Sequence, residues 1–140
     1  MIAEFAAVKA RLLADSVLAD LGVFDTARTD ESGELIRDQY TILYGGAPET
    51  LDDERLAGVQ TVNSDAEYFY PVRSVSISAD GARDLAQLAQ AQLIGFAPQV
   101  VSRRCYAMTL DDARSVEPDF SVNPPLFYLD QTFRLKSDRA

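Results

Sequence analysis

The sequence predicts an α+β fold: a mostly antiparallel sheet packed by an N-terminal helix and a second, central helix, in one domain over residues 1–140. Two patterns lead to it. Tyr68-Phe69-Tyr70-Pro71-Val72-Arg73-Ser74-Val75-Ser76-Ile77-Ser78 alternates with the period of a strand, then passes directly into the helical Asp80-Gly81-Ala82-Arg83-Asp84-Leu85-Ala86-Gln87-Leu88-Ala89 and on to Gly95-Phe96-Ala97-Pro98. Near the end, Phe127, Leu129, Gln131, Phe133 and Leu135 alternate with Tyr128, Asp130, Thr132 and Arg134, which predicts a last strand. At 140 residues, with 47% hydrophobic side chains and few Gly and Pro, the chain is long and apolar enough to bury a core without disulfides or structural metal.

Taken in order, Ile2, Phe5, Ala6, Val8, Leu12, Leu13, Val17, Leu18 and Leu21 recur at spacings of three and four, with Glu4, Lys9, Arg11 and Asp15 mostly opposite. This predicts one amphipathic helix ending at Gly22, its stripe turned to the sheet. A membrane-surface helix would carry more Lys and Arg on its polar face. Val23 to Arg28 and Leu35 to Tyr44, separated by Thr29-Asp30-Glu31-Ser32-Gly33-Glu34, read as an antiparallel pair closed by Gly45-Gly46. Ala47 to Gly58 holds Pro48 and the acids Glu49, Asp52, Asp53 and Glu54, and is expected to be a long exposed loop, with room for one helical turn at Asp52 to Leu56.

In the strand from Tyr68 to Ser78, Tyr68, Tyr70 and Val72 share one side, and Phe69, Val75 and Ile77 the other. Pro71 has no N–H to donate and argues for a bulge or an edge. Ser78 or Asp80 can cap the helix that follows, Gly95 can stop it in the left-handed region, and Ala82, Leu85, Ala86, Ala89 and Leu93 form its buried face. Val100 to Leu110 and Arg114 to Val116 are expected as strands around a turn at Asp111-Asp112. Asn123-Pro124-Pro125 breaks the chain before the last strand, and Lys136 to Ala140 reads as a charged, frayed tail.

Chemistry is sparse. With no histidine, one cysteine and no tryptophan, most catalytic constellations lack a member, and zinc or thiolate sites have no ligand set. Neither Asp52-Asp53-Glu54 nor Asp111-Asp112 has the spaced acids and fixed glycine of a calcium loop, and Gly45-Gly46-Ala47 lacks the lysine of a phosphate loop. Cys105 reads as a small buried hydrophobe, and a single unpaired cysteine fits a reducing, cytosolic setting. Of Arg103-Arg104, one guanidinium is expected in an ion pair and one in solvent, with a partner or phosphate contact as the other use. The N-terminal residues do not read as a signal peptide, and no apolar run spans a bilayer. Thirteen basic against 22 acidic residues give a net charge of −9, which disfavours general nucleic-acid binding.

The order of elements resembles that of the tail terminator proteins of long-tailed bacteriophages. The likeness rests on Tyr70-Pro71-Val72-Arg73-Ser74-Val75, on Ala86-Gln87-Leu88-Ala89-Gln90 through Gly95-Phe96-Ala97-Pro98, and on Val122-Asn123-Pro124-Pro125 before Phe127-Tyr128-Leu129-Asp130. These are packing and turn motifs spread over nearly the full length. The resemblance implies a non-enzymatic virion protein at the head-proximal end of the tail, assembled in the host cytoplasm, with no cofactor and no bound metal. It implies a ring of about six subunits that caps the tail tube, ends its polymerisation and joins the head connector around a channel for DNA. Its partners would be further copies of itself, the major tail tube protein and the connector or stopper protein. DNA would pass without specific binding, since about six copies at −9 sum to roughly −54. Tyr70, Arg103, Arg104 and Tyr128 are the candidate interface residues, beside Glu49, Asp52, Asp53 and Glu54. A neighbouring head-side connector or adaptor, and a small α+β enzyme or ligand-binding module, are the alternatives.

Overall fold

The N-terminal apolar stripe folds as two helices, α1 (Ala3–Leu13) and α2 (Ser16–Leu21), in a computed structural model that describes residues 3–45, 49–50 and 66–139. The single helix expected from Ile2 to Leu21 is interrupted by Asp15. Its backbone is extended (φ −79°, ψ 128°), and its carboxylate accepts the amides of Val17 at 2.9 Å and Leu18 at 3.0 Å. A short polar side chain that can serve free amides favours the cap over a place in the helix interior. The stripe is still continuous, because Val8, Leu12 and Leu18 are fully buried. Gly22 ends α2 at φ 96°, a conformation a side chain would resist.

Eight described strands make one sheet: β1 (Val23–Phe24), β2 (Tyr40–Leu43), β3 (Glu49–Thr50), β4 (Ala66–Ser76), β5 (Arg103–Cys105), β6 (Thr109–Ala113), β7 (Glu117–Asp119) and β8 (Leu126–Arg139). The order is β1-β2-β4-β8-β5, with β3 also on β4, and β6 and β7 also on β8. Thus β5, β6 and β7 lie end to end along the outer edge of β8. All these pairings are antiparallel except β1 with β2, where Val23 faces Thr41 and Phe24 faces Ile42 in parallel.

That parallel pair corrects the expected hairpin. The intervening chain makes only an isolated antiparallel bridge, Thr29 with Leu35, around a turn held by the Asp30 carboxylate. It reverses there and again before Tyr40, so β2 enters the sheet in the direction of β1. The expected acidic loop is corrected in one part: Glu49 and Thr50 pair with Glu67 and Ala66 as a strand. Asp52, Asp53 and Glu54, and Gly46 and Ala47, lie outside the described residues.

Pro71 sits in an interior strand with no bulge, not at an edge. Its carbonyl accepts from the Tyr44 amide at 2.9 Å, so its missing N–H points to the same side, beyond the last residue of β2 and before the stretch of β4 that pairs with β3. The proline therefore occupies a gap in the ladder where no paired strand residue needs its donor.

The helix α3 (Ala79–Leu93) lies on the face of β4 and β8 that presents Tyr68, Tyr70, Val72, Phe133 and Leu135. The Ser78 hydroxyl caps it by accepting from the Gly81 amide at 3.1 Å. Gly95, at φ 84°, follows its end, and its amide bonds the Met108 carbonyl. Ala82, Leu85, Ala86, Ala89 and Leu93 are all buried, and with Val8, Leu12 and Leu18 they complete the main core. The opposite sheet face carries a smaller cluster of Tyr40, Ile42, Val75 and Leu126, which explains why every residue of β2 is buried.

Three C-terminal expectations change. Asp111-Asp112 is no turn: both residues belong to β6, where a register shift between Leu110 and Asp112 absorbs an extra residue. The strand expected over Val100 to Leu110 divides into β5, which starts only after Ser102 at φ 64°, and the first residues of β6, and the one expected at Arg114–Val116 begins at Glu117. The tail is not frayed through Arg139. Lys136 pairs with Glu67 and Ser137 with Ala66 on β4, while Ser137, Asp138 and Arg139 pair with β5.

Candidate functional site

Beneath the junction of α1, β5 and β8 lies a buried polar cluster. The Glu4 carboxylate and the Arg103 guanidinium stand 3.5 Å apart, each side chain only 6% exposed. The Ser137 hydroxyl donates to Glu4 at 3.1 Å and accepts from Arg103 Nε at 2.9 Å, and Arg103 also donates to the Ser137 carbonyl at 2.6 Å. Two charges out of water are tolerable only when their remaining hydrogen-bonding capacity is met, and Ser137 supplies both a donor and an acceptor.

Cys105 adjoins this cluster, its sulfur 3.7 Å from the Ser137 hydroxyl. Burial pushes the thiol pKa up, and its hydrogen bond with Ser137 only partly offsets that. The thiol is thus held protonated and is a poor nucleophile. Burial, then the Glu4 charge, likewise raises the hydroxyls of Tyr68 and Tyr70. These groups form a structural clamp between the two ends of the described chain.

On the other sheet face, beside the smaller apolar cluster, charged side chains alternate. Arg73 faces Asp130 across β4 and β8 and binds it with two hydrogen bonds, 2.8 and 2.9 Å. The guanidinium also stacks over the Tyr128 ring at 4.3 Å, and the Tyr128 hydroxyl donates to Glu117 at 2.9 Å. Further along, Arg134 pairs with Glu67, and Lys136 lies 3.8 Å from Asp138. A row of cations each matched by a carboxylate presents little net field to a phosphate backbone.

The sequence-selected residues separate accordingly. Tyr70 is not at the surface: it is 1% exposed, packed beside Phe5 and Tyr68 under α1, so its place among interface residues is corrected to one in the core. Arg103 enters the ion pair and Arg104 is exposed, the division expected of the pair. Tyr128 is half-buried on the charged face. Glu4 and Ser137 were not selected, and no local signal marks them, because they lie 133 residues apart and only the folded sheet joins them. Among the described residues no group of three or more His, Cys, Asp or Glu could hold a metal ion. No described helix is long and apolar enough to cross a membrane.

The fold and these surfaces define a small α+β protein with a buried ion pair on one face of its sheet and a row of matched charges on the other. No family model and no curated protein matches the chain. Among solved structures it is similar to a chain in the virion of a native gene transfer agent particle, with a TM-score of 0.67 and 19% identity, over 95% of this chain and 92% of that one. At that identity the likeness establishes a shared fold along nearly the whole of both chains.

Proposed function

We propose that this chain is a structural protein of a phage-like virion, and within that class a tail terminator. Copies of it, about six, form a ring that caps the tail tube, ends its polymerisation and joins it to the head connector around an open channel. The observation that carries this reading is the near-complete overlap in fold with a chain of a gene transfer agent virion. The net charge of −9 and the carboxylate-matched cations Arg73 and Arg134 suit a protein past which DNA slides. The role is architectural, not enzymatic, and the protein resides in the virion at the head-proximal end of the tail.

Electron microscopy of purified protein mixed with tail tubes tests it. Rings at one tube end are expected, together with tubes that no longer lengthen. Binding to portal complexes in place of tube ends would assign the chain to the connector instead. In this reading Asp52, Asp53 and Glu54 serve assembly, so replacing them with their amides leaves the thermal midpoint unchanged and weakens capping.

A further inference from the structure

The two most exposed large hydrophobic residues in the described chain are Val101, 92% exposed, and Phe120, 79% exposed. They lie at opposite ends of β8. Phe120 follows Asp119, which pairs with Leu126, the first residue of that strand; Val101 precedes Arg103, which pairs with Arg139, its last. With 14 residues in β8, the two ends are about 45 Å apart, so one interface cannot cover both.

Their surroundings are complementary. Phe120 projects from a turn fixed by Ser121, whose amide and hydroxyl both donate to Asp119. The hairpin from Glu117 to Leu126 contains two acids and no base, and the guanidinium hydrogen-bonded to it, that of Arg37, sits at the Pro124 carbonyl. Val101 borders an open groove of about 600 Å³ with Pro98, Val100 and Arg104 in its wall. The segment from Ile94 to Tyr106 contains no acid, and of its two arginines Arg103 is already paired with the buried Glu4 while Arg104 is exposed. Asp138, opposite Arg104 in register, is engaged by Lys136.

We infer that the Phe120 hairpin of one copy docks in the Val101 groove of the next, with Asp119 or Glu117 brought towards Arg104. The contact rests on the ring reading above and supplies its subunit joint. Two different patches in head-to-tail contact close into a ring when the rotation per subunit permits.

Sedimentation of the full chain up to about 1 mM, alone and in mixtures, tests this. Phe120→Ser and Val101→Asp alter exposed side chains, so both variants should melt with wild type. Each variant alone should associate at least about tenfold more weakly than wild type. An equimolar mixture should restore a one-to-one dimer and nothing larger, because the Phe120→Ser variant keeps its groove and the Val101→Asp variant keeps its hairpin. Wild-type association in both variants overturns the joint while leaving the ring standing, and assigns the two patches to other virion proteins. Loss in the Phe120→Ser variant alone points to a hairpin-to-hairpin contact and overturns it as well. A wild type that stays monomeric throughout the range also overturns it, whereas the ring itself is decided at tube ends.

Discussion

Glu4 and Arg103 form a buried ion pair, 3.5 Å apart, that fastens the first described turn of α1 to the strand β5. Removing one member of such a pair leaves the other charge in a site built to exclude water. Glu4→Ala is expected to cost about 3–5 kcal/mol in urea unfolding, with no recovery at high salt, because a buried pair is little screened. Replacing Glu4 and Arg103 together by apolar residues of similar volume should cost much less than either single change. If Glu4→Ala unfolds at the wild-type midpoint, the clamp contributes nothing to stability.

The Arg73–Asp130 bridge lies in a wetter place, with side chains 37% and 33% exposed, and its worth is correspondingly smaller. Solvent screening discounts it, while two-point geometry and the Tyr128 ring under the guanidinium work the other way. A double-mutant cycle over Arg73→Ala and Asp130→Ala should return a coupling of about 0.5–1 kcal/mol, shrinking as salt is added. A coupling that salt does not touch would show the pair to be shielded.

What could be read from the sequence follows the range of the interactions involved. Ser78, Gly95 and the Ala82, Leu85, Ala86, Ala89, Leu93 stripe act within a few turns of one helix, and the structure realises each of them. The alternation of β8 was legible for the same reason, with Phe133 and Leu135 fully buried. Asp15 was misplaced because periodicity counts positions and does not see a side chain bonding the next two free amides. The parallel entry of β2, the gap that accommodates Pro71 and the pairing of Lys136–Arg139 all depend on distant partners. The buried cluster was the least legible, since nothing near Glu4 or Ser137 announces the other.

Cys105 predicts an alkaline response. Burial raises its thiol pKa above the ordinary value of 9.0, and burial also raises the hydroxyls of Tyr68 and Tyr70 above 10.0. For a group whose folded-state pKa is raised, the folded chain holds the proton more tightly. That stability is present in full below the unfolded value and is lost as pH rises through the folded one. Denaturation midpoints should therefore hold level to about pH 9 and then fall. Cys105→Ala should delay the onset towards pH 10 and leave the tyrosine part of the decline in place. The native thiol should react with a disulfide reagent at pH 8 far more slowly than in urea. Equal reaction rates would mean that the thiolate forms freely in the folded state.

The α3 register separates core from surface within three residues. Leu85 is 1% exposed in the main core, between α3 and the Tyr70 side of the sheet, whereas Gln87 is exposed. Leu85→Ala removes buried methyl groups and leaves a cavity that packed neighbours only partly fill, so it should cost about 2–5 kcal/mol. Gln87→Glu changes a solvated side chain and should shift stability by no more than about 0.5 kcal/mol. Its added charge could then matter only where another molecule touches that face of the helix. Chemical denaturation of the two variants side by side checks the register, and a Leu85→Ala protein as stable as wild type would place this leucine outside the core.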